Sequence, residues 1–174
     1  KALFPGDDII PNAQGQATRA ITINAPVDAI WPWLLQLGQG RGGFYSYDGL
    51  ENLIGLDIHS ADSILPQHQQ LEVGSDILFG KNGPVYKVVV LEQKHALILQ
   101  MTDSKTLELP DPNAPDFYTT TWGFILEPID AQSTRFITRG RAYSEKLSGR
   151  IMNFIFGNIS CLMEQKMLRG VKSR

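Results

Sequence analysis

The segment of residues 38–62, GQGRGGFYSYDGLENLIGLDIHSAD, concentrates the residue types that can do chemistry. His59 lies two residues from Asp57, so on a strand both side chains would share one face. A carboxylate beside an imidazole raises the pKa of the imidazole and orients it for general acid–base catalysis. With Tyr45 or Tyr47 donating a hydrogen bond to a developing enolate oxygen, such a pair would suit proton transfer on a carbonyl compound.

The same residues raise the question of a metal site. On a helix His59 would pair with Asp62, while Asp57 and the upstream Glu51 are further possible ligands. A metal requires three or more converging ligands, and the other two histidines lie in no ligand motif. We therefore expect no metal and no other cofactor. The simpler interpretation is a hydrogen bond between His59 and a carboxylate that fixes the loop.

Glycines and aromatic residues give this segment two further possible roles. The sequence GRGG at 40–43 can present backbone N–H groups to an anion, although no GK[ST] follows, which argues against a nucleotide-binding P-loop. Phe44, Tyr45 and Tyr47 either line an amphipathic pocket or plug the end of the core. We treat residues 38–66 as a loop-rich cap.

Composition predicts one globular domain over residues 1–174, with an irregular lead-in at 1–16. Apolar residues make up 43% and charged residues 20% of the chain, which is typical of a soluble fold. Cys161 is the only cysteine, so neither an intrachain disulfide nor a cysteine-based zinc site is expected. No signal peptide is recognisable at the start, and together these features favour a cytoplasmic protein.

Charge is distributed unevenly along the chain. Residues 135–174 carry nine Lys and Arg against two acids, whereas the whole chain has a formal net charge of −2. A basic C-terminal end can contact anionic lipid headgroups or simply form a solvated helix face. No basic stripe is interleaved with stacking aromatics, so we expect no nucleic-acid partner. The longest apolar stretch, at 151–163, is too short and interrupted to span a bilayer, so we expect no stable membrane insertion.

Hydrophobic periodicity predicts the order of the elements. Residues 17–26 alternate as a first strand, and residues 26–38 have helical spacing with Trp31 and Leu35 on the buried face. Five strand-like runs follow, most of them joined by hairpin-length connectors, and a wide apolar arc then predicts a long helix at 148–169. An antiparallel sheet curved around such a helix is an α+β fold with space between helix and sheet.

The last predicted strand, at 134–143, carries alternating arginines. Arg135, Arg139 and Arg141 share one face with Tyr143, and the other face is smaller and contains threonine. If the arginine face pointed inward, Arg139 would clamp a carboxylate or phosphate in a cavity. If it pointed outward, the arginines would be solvated. Because unpaired arginines are rarely buried, the sequence favours the outward orientation.

With these elements in place, the chain resembles the START-like and polyketide-cyclase-like (SRPBCC) superfamily, whose fold is a helix-grip. The resemblance covers residues 17–170 and rests on TRAITINAPVDAIWPWLLQLG, on TRFITRGRAY and on the terminal helix. The segment at 38–62 resembles the signature of an uncharacterised bacterial branch. The resemblance implies an elongated cavity between helix and sheet for an apolar or amphipathic small molecule, either lipid-like or polyketide-like.

We therefore expect this chain to bind such a small molecule. The helices and strands would supply the walls of the cavity and the cap its polar end, through Trp31, Leu35, Tyr45, Tyr47, His59, Trp122, Phe124, Arg139, Ile155, Phe156, Ile159 and Met163.

Two alternative functions remain open. One is a cyclase- or dehydratase-like enzyme, with His59, Asp57 and Tyr45 or Tyr47 as catalytic candidates; it requires His59 and a tyrosine to converge on one point in the cavity. The other is a membrane-surface or protein-interaction module that uses the basic C-terminal end.

Overall fold

The sheet and the long helix form where the sequence predicts them. The computed structural model describes the backbone of residues 3–174 and the side chains of 3–151 and 163–174. Its elements in chain order are β1 (Gly15–Ile23), α1 (Val27–Leu35), α2 (Asp48–Leu53), a short 3-10 helix (Pro66–His68), β2 (Asp76–Leu78), β3 (Val85–Glu92), β4 (Ala96–Met101), β5 (Tyr118–Asp130), β6 (Ser133–Ser144) and α3 (Leu147–Lys172).

The six strands form one curved antiparallel sheet in the order β1-β6-β5-β4-β3-β2. Hairpin connections join β2 through β6 in sequence, whereas β1 pairs with β6 at the far end of the chain. The long helix α3 packs on β1 and β6. This arrangement confirms the predicted α+β helix-grip architecture.

One face of the sheet, here called the inner face, packs against the helices and the cap. Alternation along β5 and β6 directs Phe124, Leu126 and Phe136 to this face, where all three are fully buried. The last turns of α3 contribute Met167, Leu168 and Val171 to the same cluster. Burial of this many large apolar side chains supplies the main driving force for folding.

The opposite, outer face is covered by the lead-in of residues 3–14. Ile98, Ile125 and Ile137 form a second apolar cluster on this face, and Phe4 and Ile9 of the lead-in pack against it. Residues 3–14 form neither a strand nor a long helix, whereas Gly15 and Gln16, assigned to the lead-in from the sequence, already belong to β1.

The cap approaches α3 most closely at Gly170. A Cβ atom built on Gly170 would overlap with the carbonyl oxygen of Tyr45, so only glycine lets the two backbones come together here. Tyr45 itself has a positive φ of 56°, a backbone conformation that L residues rarely adopt. The contact therefore holds both the helix and the cap in fixed positions.

We predict that Gly170→Ala destabilises the protein by roughly 1–3 kcal/mol, because the added methyl group overpacks the contact with Tyr45. Urea unfolding measures the effect. The matched control is Gly49→Ala in α2, where a Cβ would meet nothing within 4 Å. Alanine is the better helix former, so this control should gain about 0.5–1 kcal/mol. A gain at both positions would contradict the close contact.

Candidate ligand-binding site

Hydrogen bonds within the cap hold its own loops together. The Asp48 carboxylate accepts from the backbone N–H and the hydroxyl of Ser60, at 2.6 and 2.7 Å, and Ser60 Oγ accepts from the N–H of Tyr45 at 2.9 Å. The side-chain amide of Asn52 bonds to both backbone groups of Ile58, at 2.6 and 2.7 Å. These bonds position α2 and give the cap a defined shape without regular structure.

The glycine-rich turn is also occupied by internal bonds. The Arg41 guanidinium donates to the backbone carbonyl oxygens of Leu35 and Leu37, at 2.8 and 3.1 Å, at the end of α1. The N–H groups of Gly42 and Gly43 donate to backbone carbonyl oxygens as well. These N–H groups therefore close a turn and do not face an anion, in contrast to one of the roles considered from the sequence.

Tyr45 lies inside the cap, where other groups engage its hydroxyl. The hydroxyl donates to the carbonyl oxygen of Trp33 at 3.1 Å and accepts from Nε2 of Gln36 at 2.9 Å. Burial raises the pKa of Tyr45 to about 12, although the bond from Gln36 and the nearby charge of Arg174 act in the opposite direction. The residue plugs the end of the core, one of the two roles that the sequence left open.

His59 lies on the surface. Its side chain is 79% exposed, and Nε2 lies 3.1 Å from Oδ1 of Asp57. The two residues line a shallow surface depression of about 290 Å³ with Asn52, Gly55 and Lys81. Within the described part of the chain, no three His, Cys, Asp or Glu side chains are grouped as a metal would require. His59 and the buried Tyr45 hydroxyl do not face a common point.

The other candidate residues fall into three environments. Trp31 and Leu35 are buried in the core, and Trp31 Nε1 donates to Oε1 of Gln93 at 3.2 Å. Tyr47 is 45% exposed on the cap surface. Met163 is half-buried on α3, whereas the side chains of Ile155, Phe156 and Ile159 lie outside those that the structure describes.

Arg139 lies on the outer face of the sheet and is buried there. Its Nε and Nη2 atoms donate to the two carboxylate oxygens of Asp7 in the lead-in, both at 2.7 Å. The orientation is the outward one that the sequence favoured, but the expectation of a solvated arginine was wrong, because the lead-in covers this face. Arg139 therefore does not contact the space between helix and sheet, contrary to its choice as a ligand-binding residue.

The Asp7 carboxylate is stabilised in its charged form. Burial alone would raise the pKa of Asp7, but the hydrogen bond from Arg139, a further one from the N–H of Phe4, and the charges of Arg139 and Arg141 outweigh it, so the pKa is lowered. A buried, bidentate pair of this kind attaches the lead-in to the sheet.

Side chains on the inner face become less buried along the length of β5. Beyond Phe124, the inward-facing side chains of β5 are Trp122, Thr120 and Tyr118, and all three are only half-buried. Gly140 of β6 pairs directly with Trp122, and a Cβ built on it would meet no described atom within 4 Å. Among the described side chains, this end of the inner face is therefore less closely packed than the end around Phe124.

Five rings form an aromatic cluster at the same end of the inner face. Successive centroids are 4.3–6.1 Å apart, and the members are Phe44, Phe79, Tyr86, Trp122 and Phe124. The sequence singled out Trp122 and Phe124 but missed Phe79 and Tyr86. Phe79 follows a strand of only three residues, which is too short for an alternating pattern to indicate where its side chain points.

Polar groups accompany these rings. The hydroxyls of Tyr86 and Thr120 are 3.0 Å apart, and burial raises the pKa of Tyr86 to about 12 against the effect of that hydrogen bond. Trp122 Nε1 is buried and has no hydrogen-bond partner among the described residues. An unpaired buried donor is uncommon, because it has lost its hydration without replacement.

Glu51 is the second unusual polar group and was not selected from the sequence except as a possible metal ligand. It is only 2% exposed on α2, and no described residue forms a hydrogen bond with its Oε2 atom. Burial, together with the charge of Asp48, raises the pKa of Glu51 to about 7, against a hydrogen bond with Ser46 that lowers it. The carboxyl therefore binds its proton at a higher pH than an ordinary glutamate does.

Comparison with solved structures identifies the architecture. A hypothetical protein from Helicobacter pylori aligns over 99% of this chain and 95% of its own, with 11% identity and a TM-score of 0.56. A START superfamily protein from Mycobacterium smegmatis aligns over 91% and 97%, with 9% identity and a TM-score of 0.51. This chain has the START-like helix-grip fold. Norcoclaurine synthase from Thalictrum flavum shares it, with 14% identity over 91% of this chain and 84% of the synthase and a TM-score of 0.51.

Sequence comparison adds nothing to this START-like assignment, since no family model and no curated protein matches the chain. At 9–14% identity the likeness establishes the fold alone. Among the described residues, no helix of this START-like chain has the length and apolar character needed to cross a membrane.

We predict that Asp7→Asn destabilises the protein by about 3 kcal/mol near neutral pH, because it leaves the buried Arg139 without its counter-ion. The stabilisation from a lowered carboxyl pKa is complete above the ordinary value of 3.8 and is lost as the pH falls through the folded value. Unfolding curves of the variant and the unsubstituted protein should therefore converge in acid. The exposed Asp8→Asn serves as the control, and an equal loss there would contradict the assignment.

The stability contributed by Glu51 changes with pH in the opposite direction to that of Asp7. Between its ordinary pKa of 4.5 and about 7, the folded protein holds a proton that the unfolded chain releases, so Glu51 lowers stability as the pH rises. We predict that Glu51→Gln is more stable than the unsubstituted protein at pH 8 by about 2 kcal/mol, with little difference near pH 4. Urea unfolding across this range, with exposed Glu72→Gln as control, measures it. A constant difference at every pH would count against the raised pKa.

Proposed function

We propose that this chain binds an apolar or amphipathic small molecule between α3 and the inner face of the sheet. The supporting observation is the gradient of burial along that face. Phe124 on β5 and Phe136 and Thr138 on β6 are fully buried, whereas Trp122 and Gly140, the next inward-facing residues on these two strands, are only half-buried. A core built only for stability would be filled along its whole length.

The chemistry of the partly filled end suits such a ligand. Flat apolar surfaces are offered by Trp122, Tyr86 and Phe79. On the same face of the sheet, β1 and β6 carry the small residues Ala17, Gly140 and Ala142, which leave space beside these rings. Binding sites for small molecules are typically apolar with a few polar groups that fix orientation. The Tyr86 and Thr120 hydroxyls and the Trp122 indole are such groups.

The cap has a different role from the one first expected. Tyr45 and Arg41 are engaged in internal bonds, and His59 points to solvent. We propose that the cap closes the aromatic end through Phe44, whose ring lies 4.8 Å from Phe79 and 6.1 Å from Trp122.

The geometry favours binding over catalysis by the residues considered from the sequence. A cyclase-like reaction would need His59 and a tyrosine within hydrogen-bond reach of one substrate atom. The exposed imidazole of His59 and the enclosed hydroxyl of Tyr45 do not favour such a convergence, and Tyr47 lies exposed on the cap surface. The fold neighbours include both a START superfamily protein and a synthase, so the fold alone does not select between the two classes.

The basic C-terminal end is also partly engaged within the chain. Arg174 bonds to backbone oxygens of Ala61 and Gly170, and Lys172 donates to the carbonyl oxygen of Thr22 at 2.9 Å. These contacts attach the end of α3 to the cap and to β1, which disfavours a function in which the basic end contacts a membrane or another protein.

Native mass spectrometry of the purified protein, followed by organic extraction, tests the proposal. We predict a bound apolar or amphipathic molecule, or binding of an added aromatic probe such as 2-acetylnaphthalene. Gly140→Leu should weaken binding at least tenfold, because the leucine side chain occupies the space beside Trp122 and the backbone at this position accepts it without strain.

The control for this variant is Gly49→Leu, which adds the same side chain at an exposed position with nothing within 4 Å. It should bind as the unsubstituted protein does. Equal binding by both variants would show that the ligand lies elsewhere, and the absence of any binding would argue against a binding function.

A further inference from the structure

The unpaired indole of Trp122 carries an inference about the ligand's chemistry, which rests on the proposed binding function. We propose that the ligand presents an oxygen acceptor, such as a ketone or other carbonyl oxygen, to Trp122 Nε1. The ligand class is thereby narrowed from apolar molecules in general to apolar molecules, aromatic or extended, that carry a carbonyl group.

The surroundings of the indole explain why it has no partner within the protein. Its nearest aromatic neighbours are Phe124 at 4.6 Å, Phe79 at 5.2 Å and Phe44 at 6.1 Å between ring centroids, and none of these side chains carries an acceptor oxygen. Nε1 is also shielded from solvent. A buried tryptophan usually finds a partner for its N–H, so this position differs from the rule.

Trp31 shows the usual pattern within the same chain. Trp31 is a core residue, and its Nε1 donates to Oε1 of Gln93 at 3.2 Å. The fold thus supplies an acceptor for the indole of Trp31. At Trp122 it supplies three phenyl rings and a glycine, Gly140, on the neighbouring strand.

One of the three rings beside the indole belongs to the cap. Phe44 belongs to the cap, whereas Phe79 and Phe124 belong to the sheet side of the aromatic cluster. A ligand that enters beside Gly140 and displaces Phe44 uncovers the N–H and provides the acceptor in one step. The Tyr86 and Thr120 hydroxyls, paired at 3.0 Å on the same face, lie next to this position as further hydrogen-bonding groups.

The test compares two probes of nearly the same shape, 2-acetylnaphthalene and 2-isopropenylnaphthalene, in which a CH₂ group replaces the carbonyl oxygen. Calorimetry gives their affinities for the full chain. The ¹⁵N-labelled protein gives three indole N–H resonances, one for each tryptophan, and Trp122→Phe identifies the one from Trp122.

We expect the ketone to shift the Trp122 indole resonance downfield. The ratio of ketone affinity to alkene affinity should be about ten times larger in the unsubstituted protein than in Trp122→Phe. The free ketone is more strongly hydrated than the alkene, but this difference is the same for both proteins. Comparing the affinity ratio between the two proteins therefore cancels it. Trp31→Phe is the matched control, and it should keep the preference because the N–H that it removes is already bonded to Gln93.

The outcomes separate this inference from the proposed function. If both probes bind and the ratio of their affinities is the same for the unsubstituted protein and Trp122→Phe, the binding function stands and the acceptor contact is wrong. If neither probe binds, both fail. A preference lost equally in Trp31→Phe would also overturn the inference, because it would reflect general loosening of the core.

Discussion

The contact between α3 and the cap determines how the inner face of the sheet is covered. Gly170 lets the helix backbone reach Tyr45, and Arg174 then packs over the Tyr45 ring at 4.7 Å. With its C-terminal half held there, the helix buries the end of the sheet around Phe124 and Phe136. At the opposite end, where α3 begins beside Tyr118, the inner face stays only partly buried. Attachment at one end thus leaves space at the other.

The outer face depends on a different kind of interaction. An irregular lead-in buries less apolar surface than a helix would, so its attachment needs additional stabilisation. Asp7 and Arg139 provide it through a bidentate ion pair in which both groups lose most of their hydration. Such a pair adds little net stability compared with apolar packing, but it fixes the position of the lead-in, because a misplaced segment would leave a buried charge unpaired.

Sequence periodicity was sufficient to predict the architecture. Strands of up to 13 residues and a helix of 26 residues repeat their hydrophobic pattern often enough for it to be recognised despite local irregularities. The candidate site was less predictable. His59 and Tyr45 were chosen for their chemistry, yet their environments depend on tertiary contacts with Asp57, Gln36 and Trp33. The burial of Arg139 depends on a segment more than a hundred residues away, and no local pattern reports such a contact.

The distribution of satisfied polar groups is the strongest physical argument for a binding module. In the cap, the polar groups of Arg41, Tyr45 and Ser60 bond within the protein, and Glu51 Oε2 is the buried side-chain atom of the cap that has no partner among the described residues. On the inner face, the Trp122 N–H has no partner in the part of the chain that the structure describes. A catalytic site needs several groups free to act on one substrate atom, whereas a single unpaired donor among aromatic rings is suited to orienting a bound molecule.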